Sequence, residues 1–240
     1  MREMPRGPIT YWQRFGPGHP RRSHYVKSYP AQMPDGRTLL LPLRDLGQVA
    51  VAGLIVNQAS FVVLDQLVGW VAGPAAALRP SIVVGLPTLG LFVGAGLART
   101  FGHTNWVAPS TTRKRWYDDA LSVPLSSITS PAGGANTGRR MWLDPRVLPR
   151  LAGRRVLLAD DVISTGQSAL AGLALLRAVG VVPVGLAVAM TQGDRWREVW
   201  PEEIPVVSAF GSPLFARTSE GWREQVSNEP PSAQRGASPT

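Results

Sequence analysis

One stretch constrains this chain more than any other: Val156-Leu157-Leu158-Ala159-Asp160-Asp161-Val162-Ile163-Ser164-Thr165-Gly166-Gln167-Ser168. A β-branched and leucine-rich run, suited to one buried strand, leads directly into two adjacent carboxylates. A short loop of small and hydroxyl residues follows. The run Gln167–Val179 then reads as a helix, and Gly180 supplies the usual C-terminal stop. Strand, loop and helix in that order are the repeating unit of an α/β protein, in which ligands bind at the C-terminal ends of the strands.

The chemistry of the loop follows from its residue types. Its backbone N–H groups and the helix start form a ready cradle for a phosphate group. Ser164, Thr165 and Ser168 add hydroxyl donors, and Gly166 lets the backbone come close to a ligand. Asp160 and Asp161 would repel a phosphate placed against them. They fit as acceptors for sugar hydroxyls, or as groups acting through Mg²⁺. The ligand implied is a ribose 5-phosphate with free 2- and 3-hydroxyls. The plainer reading is a strand–turn–helix in which Asp161 lies near a helix cap.

The rest of the chain repeats the α/β pattern. Ser81–Leu86 reads as a buried strand, about 91–101 as a helix and Asn105–Ala108 as a second strand. Arg155–Ala159, Val181–Met190 and Pro205–Phe210 are further strands, with weaker ones expected within 120–129 and at 141–143. Val49–Val71 carries apolar residues at three- and four-residue steps and reads as one helix or two. Such alternation predicts a mainly parallel central sheet flanked by helices. Residues 1–36, rich in Pro, Gly, Arg and aromatics, are expected to form an irregular basic arm. Residues 37–224 form the domain, and 225–240 read as a disordered tail.

Composition excludes several chemistries. There is no cysteine in the 240 residues, so disulfides, thiol nucleophiles and thiolate zinc sites are ruled out. His19, His24 and His103 have no metal-ligand spacing, and neither a Walker loop nor a complete Gly-x-Gly-x-x-Gly run is present. The uncharged stretches Leu46–Leu64 and Ser81–Ala98 are interrupted by polar residues, or by Pro and Gly. They are expected to be buried elements rather than membrane spans, in a cytoplasmic protein. The formal charge of +9 favours anionic partners. It equally fits a coding bias, because Lys27 and Lys114 are the only lysines.

The acidic pair, the two apolar residues and the Ser-Thr-Gly-Gln-Ser run together resemble the signature of the type I phosphoribosyltransferases, which binds phosphoribosyl pyrophosphate (PRPP). The likeness extends over roughly residues 50–210 and is nearest the adenine and xanthine (purine) members. It implies a small hood over the strand ends and a flexible catalytic loop. Within it, Asp160, Asp161, Ser164, Thr165, Gly166, Gln167 and Ser168 hold the ribose phosphate. Gln167 stands where many members have a second glycine. The pyrophosphate loop falls on Gly85–Gly90, with Thr88, Leu89 and Gly90 as candidate binders; the acidic or arginine residue common there is missing. The flexible loop falls on Ser110–Asp119, where Arg113 and Lys114 are candidates to neutralise departing pyrophosphate. Trp116 and Tyr117 in that loop suggest packing on closure.

For the acceptor, Gly53–Gln58 is similar to a run in xanthine phosphoribosyltransferases in which an asparagine reads the purine. Asn57 is therefore a candidate base contact and Gln192 a second; Asn57 is equally read as a helix polar group. Phe61, Trp196, Phe210 and Phe215 are candidates to stack on a base. The resemblance implies transfer of the 5-phosphoribosyl group from PRPP to a nucleobase, with Mg²⁺ carried by PRPP, in a homodimer. The other reading is a PRPP-sensing regulator that binds nucleic acid. No helix-turn-helix precedes the domain, and nucleic acid is the less expected partner.

Overall fold

In the computed structural model, residues 11–125 and 138–225 are described. The expected tail, from 226 onward, lies outside them. Four strands come first: β1 (Phe15–Gly16), β2 (Ser28–Gln32), β3 (Thr38–Asp45) and β4 (Val49–Ala52). Helix α1 (Phe61–Ala76), β5 (Ile82–Gly85) and α2 (Gly90–Thr100) follow. A short pair, β6 (Ser122–Pro124) and β7 (Arg140–Trp142), leads to the one-turn α3 (Leu148–Leu151). Then come β8 (Val156–Ile163), α4 (Gln167–Arg177), β9 (Gly185–Gln192), β10 (Val206–Ser212), β11 (Leu214–Thr218) and β12 (Gly221–Glu224).

The central sheet is parallel throughout, in the order β10-β9-β8-β5. Its strands are apolar on both faces because both faces are covered. In β8, Leu157 and Ala159 join the core beneath α1 and α2, whereas Val156 and Leu158 join the core beneath α4 and the β6–β7 pair. Strand β9 alternates in the same way, with Ala187 and Ala189 on one side and Leu186 and Val188 on the other. Each fully buried leucine among them contributes about 1.5–3 kcal/mol of transfer free energy.

A second, antiparallel sheet runs β1-β3-β4-β11-β12, with β2 also on β3, and forms the hood. Three expectations are corrected here. The N-terminal arm is not irregular throughout: Ser28–Gln32 pairs with Thr38–Pro42 and buries Tyr29 and Ala31, while 17–27 stays irregular apart from a bridge at Tyr25. Val49–Ala52 is a strand; the helix begins only at Phe61, capped by the Ser60 hydroxyl, which accepts from the Val63 N–H at 3.2 Å. The expected strand at 105–108 is a single parallel bridge, Val84 to Val107.

Candidate functional site

The site lies where β8 outruns its neighbour. Strand β5 stops at Gly85, opposite Ala159, while β8 continues through Asp160 and Asp161 to Ile163, still paired with β9. The acidic pair therefore sits on a rigid strand with one edge free of β5. The loop Ser164–Gly166 then turns into α4. Gly166 has φ +80, the left-handed conformation glycine adopts at little cost, and an added Cβ would stand 3.0 Å from the Val199 side chain.

A cavity of about 410 Å³ opens here. Parallel-sheet residues line its floor: Pro87, Thr88 and Leu89 after β5, then Asp160, Asp161 and Ser164–Ser168 after β8. Hood residues line the opposite wall, from Arg44 and Leu46 to Val51–Ile55. Leu125, Arg139, Gln192 and Arg195 complete it. The structure thus brings together Asp160, Asp161, Ser164, Thr165, Gly166, Gln167, Ser168, Thr88, Leu89 and Gln192, all expected at the site.

Asp160 is only 6% exposed, and Asp161 is half-buried. Burial pushes the Asp160 carboxyl well above the usual carboxylate range, and the neighbouring Asp161 charge adds to it. Burial raises Asp161 as well. The Asp161 backbone N–H donates to Asp160 Oδ1 at 2.9 Å. Behind the pair, the start of α2 lies directly on β8. A Cβ at Gly90 would be 2.7 Å from Asp160 Cα and 2.6 Å from its Oδ1. Gly90 is therefore a spacer behind the site and does not line the cavity.

Gln192 has a definite orientation. Its Nε2 donates to the Ala52 carbonyl of β4 at 2.7 Å, tying the end of β9 to the hood. A carbonyl can only accept, so this bond fixes which end of the amide faces β4.

Other expected residues lie elsewhere. Asn57, in a single 3₁₀ turn (Val56–Gln58), is exposed and does not line the cavity. Arg113 and Lys114 do not line it either. Arg113 donates to Asp119 at 2.8 Å and stacks on Trp142. The segment around them is tied down: Ser110 pairs with Trp142, and Trp116 Nε1 donates to Asp144 while Arg146 covers its ring. Trp116 and Tyr117 thus have partners within this segment, with Trp116 still 54% exposed. Among the stacking candidates, Phe215 is buried with Tyr25 and Tyr29, Trp196 and Phe210 are buried, and Phe61 is 82% exposed. None lines the cavity.

Sequence reasoning missed Arg44, Arg139 and Arg195, the three cations of the cavity wall. Arg195 had a signal, since it follows the C-terminal end of β9 by three residues. Among the described residues, no group of three or more His, Asp or Glu side chains encloses a metal position. The residues present fit a divalent ion that arrives with most of its oxygen ligands on the substrate. No described helix is long and apolar enough to cross a membrane.

A strand-borne acidic pair, a glycine turn into α4 and a cleft between a parallel sheet and a hood define a class of α/β protein. The comparisons name it. The phosphoribosyl transferase domain family matches residues 56–208. The chain belongs to that family and is a phosphoribosyltransferase, a pentosyltransferase. It is similar to the orotate phosphoribosyltransferase of Listeria monocytogenes, 27% identical over 150 residues, covering 58% of this chain and 69% of that one. It is also similar to the adenine phosphoribosyltransferase of Streptomyces coelicolor, 30% identical over 149 residues, covering 60% and 71%. In fold it is similar to the adenine phosphoribosyltransferase of Rhodothermus marinus, with a TM-score of 0.52 at 20% identity, covering 69% of this chain and 94% of that one.

Proposed function

We propose that this phosphoribosyltransferase moves the 5-phosphoribosyl group from PRPP to a ring nitrogen of a nucleobase and releases pyrophosphate. The observation that carries the reading is the placement of Asp160 and Asp161 between two backbone loops on the cavity floor. The loop Ser164–Ser168 holds the 5-phosphate through backbone N–H groups and hydroxyls. The two carboxylates accept hydrogen bonds from the ribose hydroxyls and orient the ring. Thr88 and Leu89 face the pyrophosphate, whose charge is met by Arg139 and Arg195. Mg²⁺ bound with PRPP would screen the leaving group's charge. In the reaction the C1–oxygen bond to pyrophosphate breaks, the base nitrogen bonds to C1, and the nitrogen's proton leaves to solvent. Positioning the base behind C1 and stabilising the departing charge supply the acceleration.

The acceptor is assigned only as a nucleobase. Of the two residues expected to read a purine, Asn57 stands off the cavity, and Gln192 lines it with its Nε2 bonded to the Ala52 carbonyl. The hood wall from Arg44 to Ile55 also lies outside the family-matched residues 56–208, so the relatives' acceptors do not carry over to it. The test is pyrophosphate release from PRPP and Mg²⁺ with adenine, hypoxanthine, guanine, xanthine, uracil and orotate supplied singly. Release with one base establishes the enzyme and its acceptor. PRPP binding with no release from any base would favour the sensor reading. That reading draws on the net charge of +9 and the basic N-terminal residues, of which Arg14, Arg21, Arg22 and Lys27 are exposed, and salt-sensitive binding to RNA or DNA would support it.

A further inference from the structure

The hood reaches the cavity mouth through the tip of the β3–β4 hairpin, Asp45–Gln48, whose residues are all exposed. Arg44 and Leu46 of this hairpin line the cavity. Within the tip, the Gly47 N–H donates to Asp45 Oδ1 at 2.8 Å, and the Leu46 N–H donates to the Val49 carbonyl. These bonds shape the turn. They do not fix where it stands relative to the floor.

The β3–β4–β11 ladder carries the hairpin as far as Asp45 and Val49, and Arg217 of β11 ties down the tip beyond it. Its Nε donates to the Gly47 carbonyl at 2.8 Å, and one terminal nitrogen donates to Asp45 Oδ2 at 2.5 Å. Its backbone N–H donates to the Gln48 carbonyl at 3.2 Å. The guanidinium is itself held in place, 4.4 Å above the ring of Trp222, which is buried. A planar fork on an aromatic face has little freedom to follow a moving partner. Among the described residues, Arg217 is the one side chain that bonds to this tip from another element. Among the described residues no ion pair holds the Arg44 side chain, whose stem lies against Gly53 of the same wall, so its place depends on the backbone that carries it.

We propose that Arg217 is a positioning residue for the acceptor. By clamping the tip it holds Arg44 and Leu46 against the acceptor, on the wall opposite the loops that receive PRPP. The proposal rests on the enzymatic reading above, because it assigns the floor to PRPP and leaves the hood wall for the base. It concerns residues outside the family-matched 56–208. The position of Asp45 agrees with it: the Arg217 hydrogen bond holds the Asp45 carboxyl below the usual carboxylate range.

The experiment compares wild type with Arg217→Met, which keeps a stem to cover Trp222 but loses the fork, and with Arg217→Lys, which keeps the charge. Three quantities are read on the full chain: amide hydrogen exchange at 45–48, PRPP affinity by calorimetry, and KM for the base that wild type uses. The expected result is exchange faster by tenfold or more in the Met variant. Acceptor KM should rise about tenfold with PRPP affinity within twofold of wild type, and Lys should recover part of both losses. Faster exchange with an unchanged acceptor KM overturns the proposal alone. Equal rises in acceptor KM and loss of PRPP affinity also overturn it, by showing a general structural role. Wild type inactive with every base overturns the enzymatic reading, and the acceptor role with it.

Discussion

Replacing Gly90 by alanine should damage the fold and the site together. The added Cβ would stand 2.7 Å from Asp160 Cα and 2.9 Å from the Ala159 carbonyl oxygen, both backbone atoms of the central strand. Ordinary contact begins near 3.4 Å, so α2 or β8 must give by about 0.7 Å. Neither is free to do so: β8 is paired on both sides up to Ala159, and α2 is packed against α1. Overpacking of this kind costs about 1–3 kcal/mol. At roughly 2–4 °C per kcal/mol for a chain of this size, Tm should fall by about 2–12 °C. The shift falls directly on Asp160 and on the loop before α2, so PRPP affinity should drop by about tenfold or more. Gly69→Ala is the control. Gly69 is exposed within α1 and has nothing within 4 Å of its Cβ position, so the change should stabilise by about 0.5–1 kcal/mol and leave PRPP binding intact. Calorimetric unfolding and PRPP titration read both variants. Gly90→Ala with unchanged Tm and affinity would refute the claim that α2 packs directly on Asp160.

The other predictions concern charge. Asp160→Asn should raise the Tm of the ligand-free protein at neutral pH while abolishing turnover. The folded Asp160 carboxyl is raised above its unfolded value, so the wild type loses stability as pH climbs from about 4 through the folded value, and the variant does not. Below about pH 4 the two should melt alike; a neutral-pH variant no more stable than wild type would contradict the burial argument. Asp144 behaves oppositely. The Arg146 hydrogen bond holds its carboxyl far below the usual range, so its contribution is present above about pH 4 and fades only in stronger acid. Asp144→Asn should therefore lower Tm at pH 7 and alter Trp116 fluorescence, with both differences shrinking towards pH 2. Arg195→Ala and Arg139→Ala should each raise KM for PRPP about tenfold, whereas Lys114→Ala should change it less than twofold; the reverse ranking would return the leaving-group role to the 110–119 loop.

The parts of the fold that were legible in the sequence were those where one physical pattern had no rival. The β8–loop–α4 segment combined a buried strand, an acidic pair and a glycine-bounded helix, and each element stands close to its expected place. The run at 49–71 was ambiguous because apolar residues at 49, 51 and 54 suit a short strand as well as a helix; hood pairing with β11 decided it. The arm misled through Pro30, which argues against a strand. Strand β2 pairs on one side only, with β3, and an edge strand tolerates the missing N–H. The cavity arginines were hidden by number. Most basic residues of this chain are surface arginines, and nothing local sets Arg44 or Arg139 apart from them. Residues 110–119 carried the right charge for a leaving-group loop, but Arg113 turns to Asp119 and Trp142 and does not line the cavity, a fact of tertiary contact and not of sequence.

Titration of PRPP with Mg²⁺ into wild type and into Asp160→Asn/Asp161→Asn tests the central claim most directly, namely that the strand-borne acidic pair holds the ribose of PRPP. The account predicts saturable one-to-one binding to wild type and at least a hundredfold loss in a double variant that still folds. Equal affinity in the two proteins would contradict it.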